Sequence, residues 1–200
     1  MPVEYKNRIG KNYFLHVSKT KKGKPKYYFS MKRDGQLLDE TPEGYEIYEH
    51  PTNGQVFLRR KLPQIITEIE KHIVEKEMKK GGRSRRHILD IRGKMITIFE
   101  SNQDFEELKE FLSSSFGPGP LPSGLTISSA IDDIINTATQ YSPMMRFTLV
   151  DEKRRTFIAE RYYYLGSNYD WVHIGGPDTL SKIANQHINH LGKDSFFEYD

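Results

Sequence analysis

The chain has 200 residues, with 30 Lys+Arg against 27 Asp+Glu, 7 His and no Cys. The absence of cysteine excludes disulfide scaffolds, Cys-ligated zinc, iron–sulfur clusters and thiol catalysis. No apolar run approaches the roughly 18 residues of a membrane-spanning helix, and a hydrophobic content of 36% excludes a disordered chain.

The opening MPVEYKNRIGKN has no apolar signal core, so a soluble cytoplasmic protein is expected. The net charge of +3 conceals a division along the sequence. Residues 1–94 carry 22 basic against 12 acidic residues, and residues 95–200 carry 8 against 15. A basic half joined to an acidic half suggests a polyanion partner. It equally suits an acidic protein or another copy of the chain, and a lysine-rich loop also serves simply as a solvated surface.

Taken in chain order, 12–18 (NYFLHVS) and 26–32 (KYYFSMK) are aromatic-rich runs around the basic turn TKKGKPK, which predicts a β-hairpin. A second hairpin follows from 44–49 and 55–60 around Asn53-Gly54, a pair that favours the tight turn between twisted strands. Leu62, Ile65, Ile66, Ile69, Ile73 and Met78 then recur at helical spacing, and Pro63 suits a first helical turn. The run KKGGRSRR at 79–86 ends this helix and reads as a linker.

Residues 88–91 and 95–99 form a further hairpin zone. A helix carrying Phe105, Leu108, Phe111 and Leu112 follows, with Ser101 and Asp104 at capping-box spacing. The Ser/Gly/Pro-rich stretch 113–124 is expected to be an exposed loop. Ser128 or Ser129 caps a helix with Ile131, Ile134 and Ile135 on its apolar side. Strands at 147–150, 156–165 and 171–174 precede a last helix ending at Gly192, and 196–199 suits an edge strand.

No residue set declares a catalytic activity, a cofactor or a metal. The Gly-Lys dipeptides lack the remaining elements of a phosphate loop, and the glycines of GPGPLPSG are interleaved with prolines that cannot donate N–H groups. No serine sits in a Gly-x-Ser-x-Gly elbow. His187 and His190, with His173 or Asp194, are the nearest approach to a metal set, and they equally suit solvated positions. An enzyme with a dispersed site near His173, His187 and His190 stays as an alternative. The paired carboxylates Glu106-Glu107 and Asp132-Asp133 diverge by about 100° on a helix, so neither pair aims both groups into one cleft.

The basic-aromatic hairpin is the sharpest positive feature. Period-2 alternation places Phe14 and His16 on one face with Tyr28, beside Lys19, Lys21, Lys22, Lys24 and Lys26. Ring faces beside phosphate-neutralising cations suit nucleic acid, and Arg83, Arg85 and Arg86 extend the same track. The alternative is that both faces are covered. The run Arg161-Tyr162-Tyr163-Tyr164 through Trp171 is a second aromatic concentration, suited to a contact surface or to a core.

The stretches YFLHVSKTKKGKPKYYFS and PEGYEIYEHPTNGQVFLRR, with RFTLVDEKRRTFIAERYYYLGS and the ending HLGKDSFFEYD, resemble a group of uncharacterised bacterial proteins. The resemblance implies a stand-alone bacterial protein and supplies no site residue. The expected fold class is α+β in two parts. Residues 1–80 form an antiparallel sheet closed by one helix, and 84–200 form a hairpin-rich acidic unit. The expected function is a non-enzymatic nucleic-acid-binding module with no membrane contact. A protein-interaction adapter built on the opposed charges is the alternative.

Overall fold

A computed structural model describes residues 1–80, 87–103, 105–115, 131, 134–135, 137–165 and 168–198. The fold class is α+β. The chain divides into two compact units that are not contiguous in sequence. One comprises 1–61 and 102–140, the other 62–101 and 141–200. Among the described residues no helix is long and apolar enough to cross a membrane.

The first unit is built on β1 (Glu4–Lys6), β2 (Asn12–Lys19) and β3 (Pro25–Ser30), an antiparallel sheet in the order β1-β2-β3. The two-stranded ribbon β4 (Tyr45–Glu49) and β5 (Val56–Arg60) meets β3 through the edge-to-face pair Tyr27–Tyr45, with centroids 5.5 Å apart. Polar contacts tie the ribbon to the turn after β1. Asn7 Nδ2 donates to Gly54 O at 2.7 Å, and Arg8 Nη1 donates to Glu49 Oε1 at 3.0 Å. The excursion 102–140 contains a helix at Phe105–Ser115 and helical backbone at 131, 134–135 and 137–138. Its neck is closed by Asn102 N–H donating to Gln140 O at 2.9 Å.

The second unit starts with α1 (Glu68–Lys80), followed by β6 (His87–Arg92) and β7 (Met95–Ser101). The Phe105–Ser115 helix of the first unit is α2. After the excursion come β8 (Tyr141–Asp151), β9 (Thr156–Leu165), β10 (Asn168–Thr179) and α3 (Leu180–His187). Five antiparallel strands form one sheet in the order β10-β9-β8-β7-β6. Alternation sends Ile96, Ile98, Met145, Phe147, Leu149, Phe157 and Ala159 to one face, where they bury against Val74 and Met78 of α1 and Leu180, Ile183 and Ala184 of α3. Each of the larger side chains contributes about 1.5–3 kcal/mol by leaving water.

Several boundaries differ from the sequence expectation. The helix predicted from Pro63 begins at Glu68, because Thr67 and Glu70 form a capping box. Glu70 N–H donates to Thr67 Oγ1 at 3.2 Å and Thr67 N–H donates to Glu70 Oε2 at 2.8 Å. With the start fixed there, Ile69 is exposed and Val74 joins the core. This helix belongs with the second sheet and does not close the first, and the boundary at 80–84 gives way to the interleaved units. Where an edge strand is expected at 196–199, Asp194–Phe196 forms a 3₁₀ turn, since Phe196 turns into the core, and Tyr199 lies outside the described residues. The start of the loop expected at 113–124 is helical through Ser115. The rest of that loop lies outside the described residues, as do Asp104, Ser128, Ser129, Asp132 and Asp133.

The interleaving also rearranges the charge. Residues 1–61 carry 13 basic and 7 acidic side chains, and 102–140 carry 1 and 6, so the first unit holds 14 against 13. The division between sequence halves does not survive as a division between units. Positive charge is instead local.

Candidate nucleic-acid interface

The β2–β3 hairpin is shaped by its own short sequence, Thr20-Lys21-Lys22-Gly23-Lys24-Pro25. Gly23 N–H donates to Thr20 O at 2.9 Å, which closes a four-residue turn. Gly23 follows in the left-handed region at φ 75°, where a Cβ would be strained. This pairing of a turn with a left-handed glycine suits the right-handed twist of the strands. Thr20 then locks the turn from its side chain, Oγ1 donating to Lys24 O at 3.0 Å and accepting from Lys24 N–H at 3.1 Å. Pro25 opens β3 at the one strand position where a missing N–H costs least.

Beside β2 lie first β1 and then the returning segment 36–38. Leu15 N–H donates to Val3 O, Val17 N–H to Gln36 O and Leu38 N–H to Leu15 O. This pairing stops at Val17. Residues 18–26 therefore extend as a two-stranded ribbon with no third strand hydrogen-bonded to them among the described residues.

Lys19, Lys21, Lys22, Lys24 and Lys26 are all exposed on this ribbon. Among the described residues no carboxylate forms an ion pair with any of them, unlike Arg8, Arg59, Arg146 and Arg155, which each hold a glutamate. Cross-strand register distributes the cations. Ser18 faces Lys26 and His16 faces Tyr28 on one face, whereas Lys19 faces Pro25 on the other.

The aromatic part of the expected platform is arranged differently from the sequence reading. Tyr28 is 40% exposed, but Phe14 is 8% and His16 2% exposed. The Arg33 guanidinium lies over the Phe14 ring at 5.3 Å. His16 donates from Nε2 to Lys32 O at 2.9 Å and stacks on Tyr28, with centroids 5.1 Å apart and planes 12° from parallel. The chain at 32–37 folds back over this face, so Phe14 and His16 offer no ring to a base, and His16 supports Tyr28. Arg33 and the clamp made by Thr20 are additions that sequence periodicity did not nominate. The T-x-x-G-K spacing carries the clamp's signal. Arg83, Arg85 and Arg86 lie outside the described residues.

The histidines named as an alternative centre lie in the second unit. His187 is fully buried, with its ring against the backbone of Gly175, where a Cβ would stand 2.3 Å from Nε2. Burial pushes its imidazole below the ordinary value, and the charges of His190 and His173 push in the same direction. His173 is exposed on β10, and His190 Nδ1 lies 2.9 Å from Ser195 Oγ. The three are near enough to feel one another, but His187 has no exposed surface with which to meet a substrate. Among the described residues no group of three or more His, Cys, Asp or Glu is placed to hold a metal ion.

The tyrosine strand is divided between two environments. Tyr162 meets Trp171 at 5.1 Å on the sheet face away from α1 and α3, where Arg146 lies over Trp171 at 4.4 Å. Arg146 also donates from Nε and Nη2 to both oxygens of Glu160, at 2.6 and 2.7 Å. That fork occupies the carboxylate and removes it as a general base. Tyr163 packs against Phe197 under the Arg161 guanidinium, and the Tyr164 side chain lies outside the described residues. Comparison with known proteins finds no matching family model, no similar curated protein and no similar solved structure.

Proposed function

We propose that this chain is a cytoplasmic, non-enzymatic binding module that contacts nucleic acid through its phosphates, with the β2–β3 ribbon as the contact. The observation that carries the reading is the set of five exposed lysines without carboxylate partners, held on a turn already locked by Thr20. Unpaired ammonium groups on a rigid support bind phosphate by releasing condensed counterions, and they need little further ordering to do so. Glu4 on the neighbouring β1 pairs with Phe14, at the other end of the hairpin from its tip. The charge division between sequence halves is not a division between the units, since the first holds 14 basic against 13 acidic residues.

Fluorescence anisotropy of the full chain with labelled nucleic acid tests this reading. Binding should weaken with salt at a slope of about −0.9 per phosphate neutralised, and so up to about −4.5 for five lysines. The variant K21E/K22E/K24E/K26E should lose binding while its circular dichroism spectrum is unchanged. Retention of affinity in a folded variant would remove the ribbon from the contact. Absence of binding at low salt would remove nucleic acid as the ligand.

A further inference from the structure

We infer that the ligand of this ribbon is B-form duplex DNA, entered through the major groove and read without base specificity; the inference rests on the phosphate-binding reading above. Three features of the hairpin point the same way.

The first is the distribution of charge around the ribbon. Lys26 stands on the Tyr28 face, Lys19 on the opposite face, and Lys21, Lys22 and Lys24 across the tip. A single strand laid on a sheet would use cations on one face. A groove has a phosphate wall on either side, and only there do cations on both faces find partners together.

The second is size. Beyond Val17 the ribbon is two strands wide, with a strand spacing of about 4.8 Å. Three residues on each side of the turn, Ser18–Thr20 and Lys24–Lys26, reach about 10 Å at about 3.4 Å each. The B-DNA major groove is about 12 Å wide and 8.5 Å deep and admits a two-stranded β-ribbon. The A-form RNA major groove is too narrow for it.

The third is what the ribbon lacks. Single-strand sites carry a succession of exposed rings. Here Phe14 and His16 are buried, and Tyr28 has one ring face occupied by His16. The tip has no Arg, whose rigid fork identifies guanine, and no Asn or Gln for adenine; its lysines carry rotatable point charges on flexible stems and fix a base less strictly. Lysines that meet phosphates position a protein without reading sequence.

The test is an anisotropy titration of the full chain, at one near-physiological salt concentration and again at low salt. The probes are a 20-base-pair duplex DNA, the duplex RNA of the same sequence, one DNA strand alone, a duplex DNA of unrelated sequence, and inorganic polyphosphate as competitor. Duplex DNA should bind at least about tenfold more tightly than duplex RNA or the single strand. The two duplex DNAs should agree within about threefold, less than one mismatched base pair costs a sequence reader. The protein should displace methyl green, a major-groove ligand, and leave netropsin in the minor groove. Equal affinity for duplex RNA or single strands, or displacement of netropsin alone, would overturn the groove assignment and leave phosphate binding standing. Failure to bind any of the probes, polyphosphate included, at low salt would overturn both.

Discussion

At the scale of single residues, the ionised side chains fall into two groups with different work. Glu70 and Glu160 are held below the ordinary glutamate range. Burial alone pushes Glu70 up, but hydrogen bonds from Arg155 and Thr67 outweigh it. For Glu160 the Arg146 hydrogen bonds dominate over burial. A carboxylate whose folded value is depressed adds stability above its unfolded value and loses it as the pH falls through the folded one. Acid should therefore destabilise the protein below about pH 4.5. Glu160→Gln should flatten that limb of a plot of urea midpoint against pH, and an unchanged limb would show that the Arg146–Glu160 fork carries no stability. Truncating Arg146 to Ala leaves Glu160 half-buried without its fork and should cost about 1–3 kcal/mol in urea denaturation. The double variant R146L/E160L should cost less than that single change. The ribbon lysines have no such partners, so their removal should move stability little and binding much.

Among the elements, the β2–β3 hairpin shows how far a sequence reveals its own structure. Its strands, its turn and its cluster of cations follow from alternation and from Gly23, because each depends on neighbours a few residues away. The burial of Phe14 and His16 does not, because their cover is the irregular segment 32–38, which returns beside β2 through two backbone hydrogen bonds and has no periodicity to announce it. The α1 boundary differs for a related reason. Pro63 is a local signal for a helix start, and the Thr67–Glu70 box with Arg155 Nε donating to Glu70 Oε1 at 2.8 Å is a stronger one, completed from 85 residues away. The Thr20 clamp is the element-scale determinant of the proposed contact. Thr20→Val preserves shape and β-branching while removing both side-chain hydrogen bonds. It should weaken DNA binding about three- to tenfold by returning freedom to the tip, with a loss of stability of about 1 kcal/mol or less. An unchanged affinity would mean that the tip is ordered by the ligand instead of by Thr20.

For the whole molecule, the sequence gives the fold class readily and the partition of the chain poorly. Antiparallel hairpins announce themselves, but the neighbours β7 and β8 are separated by the 39 residues of the excursion 102–140, and that adjacency decides which segments share a unit. A reading along the chain assigns the basic and acidic halves to separate bodies. The fold interleaves them and, among the described residues, concentrates cations without carboxylate partners at the ribbon tip. The most direct test of the account is a ¹H–¹⁵N correlation spectrum of the full chain titrated with a short duplex DNA. The earliest and largest shifts should fall on 18–28 and weaken together as salt is raised, with residues of the second sheet's core unmoved. Shifts that begin elsewhere, around His173 and His190 or on Trp171 and Tyr162, with the ribbon silent, would contradict it.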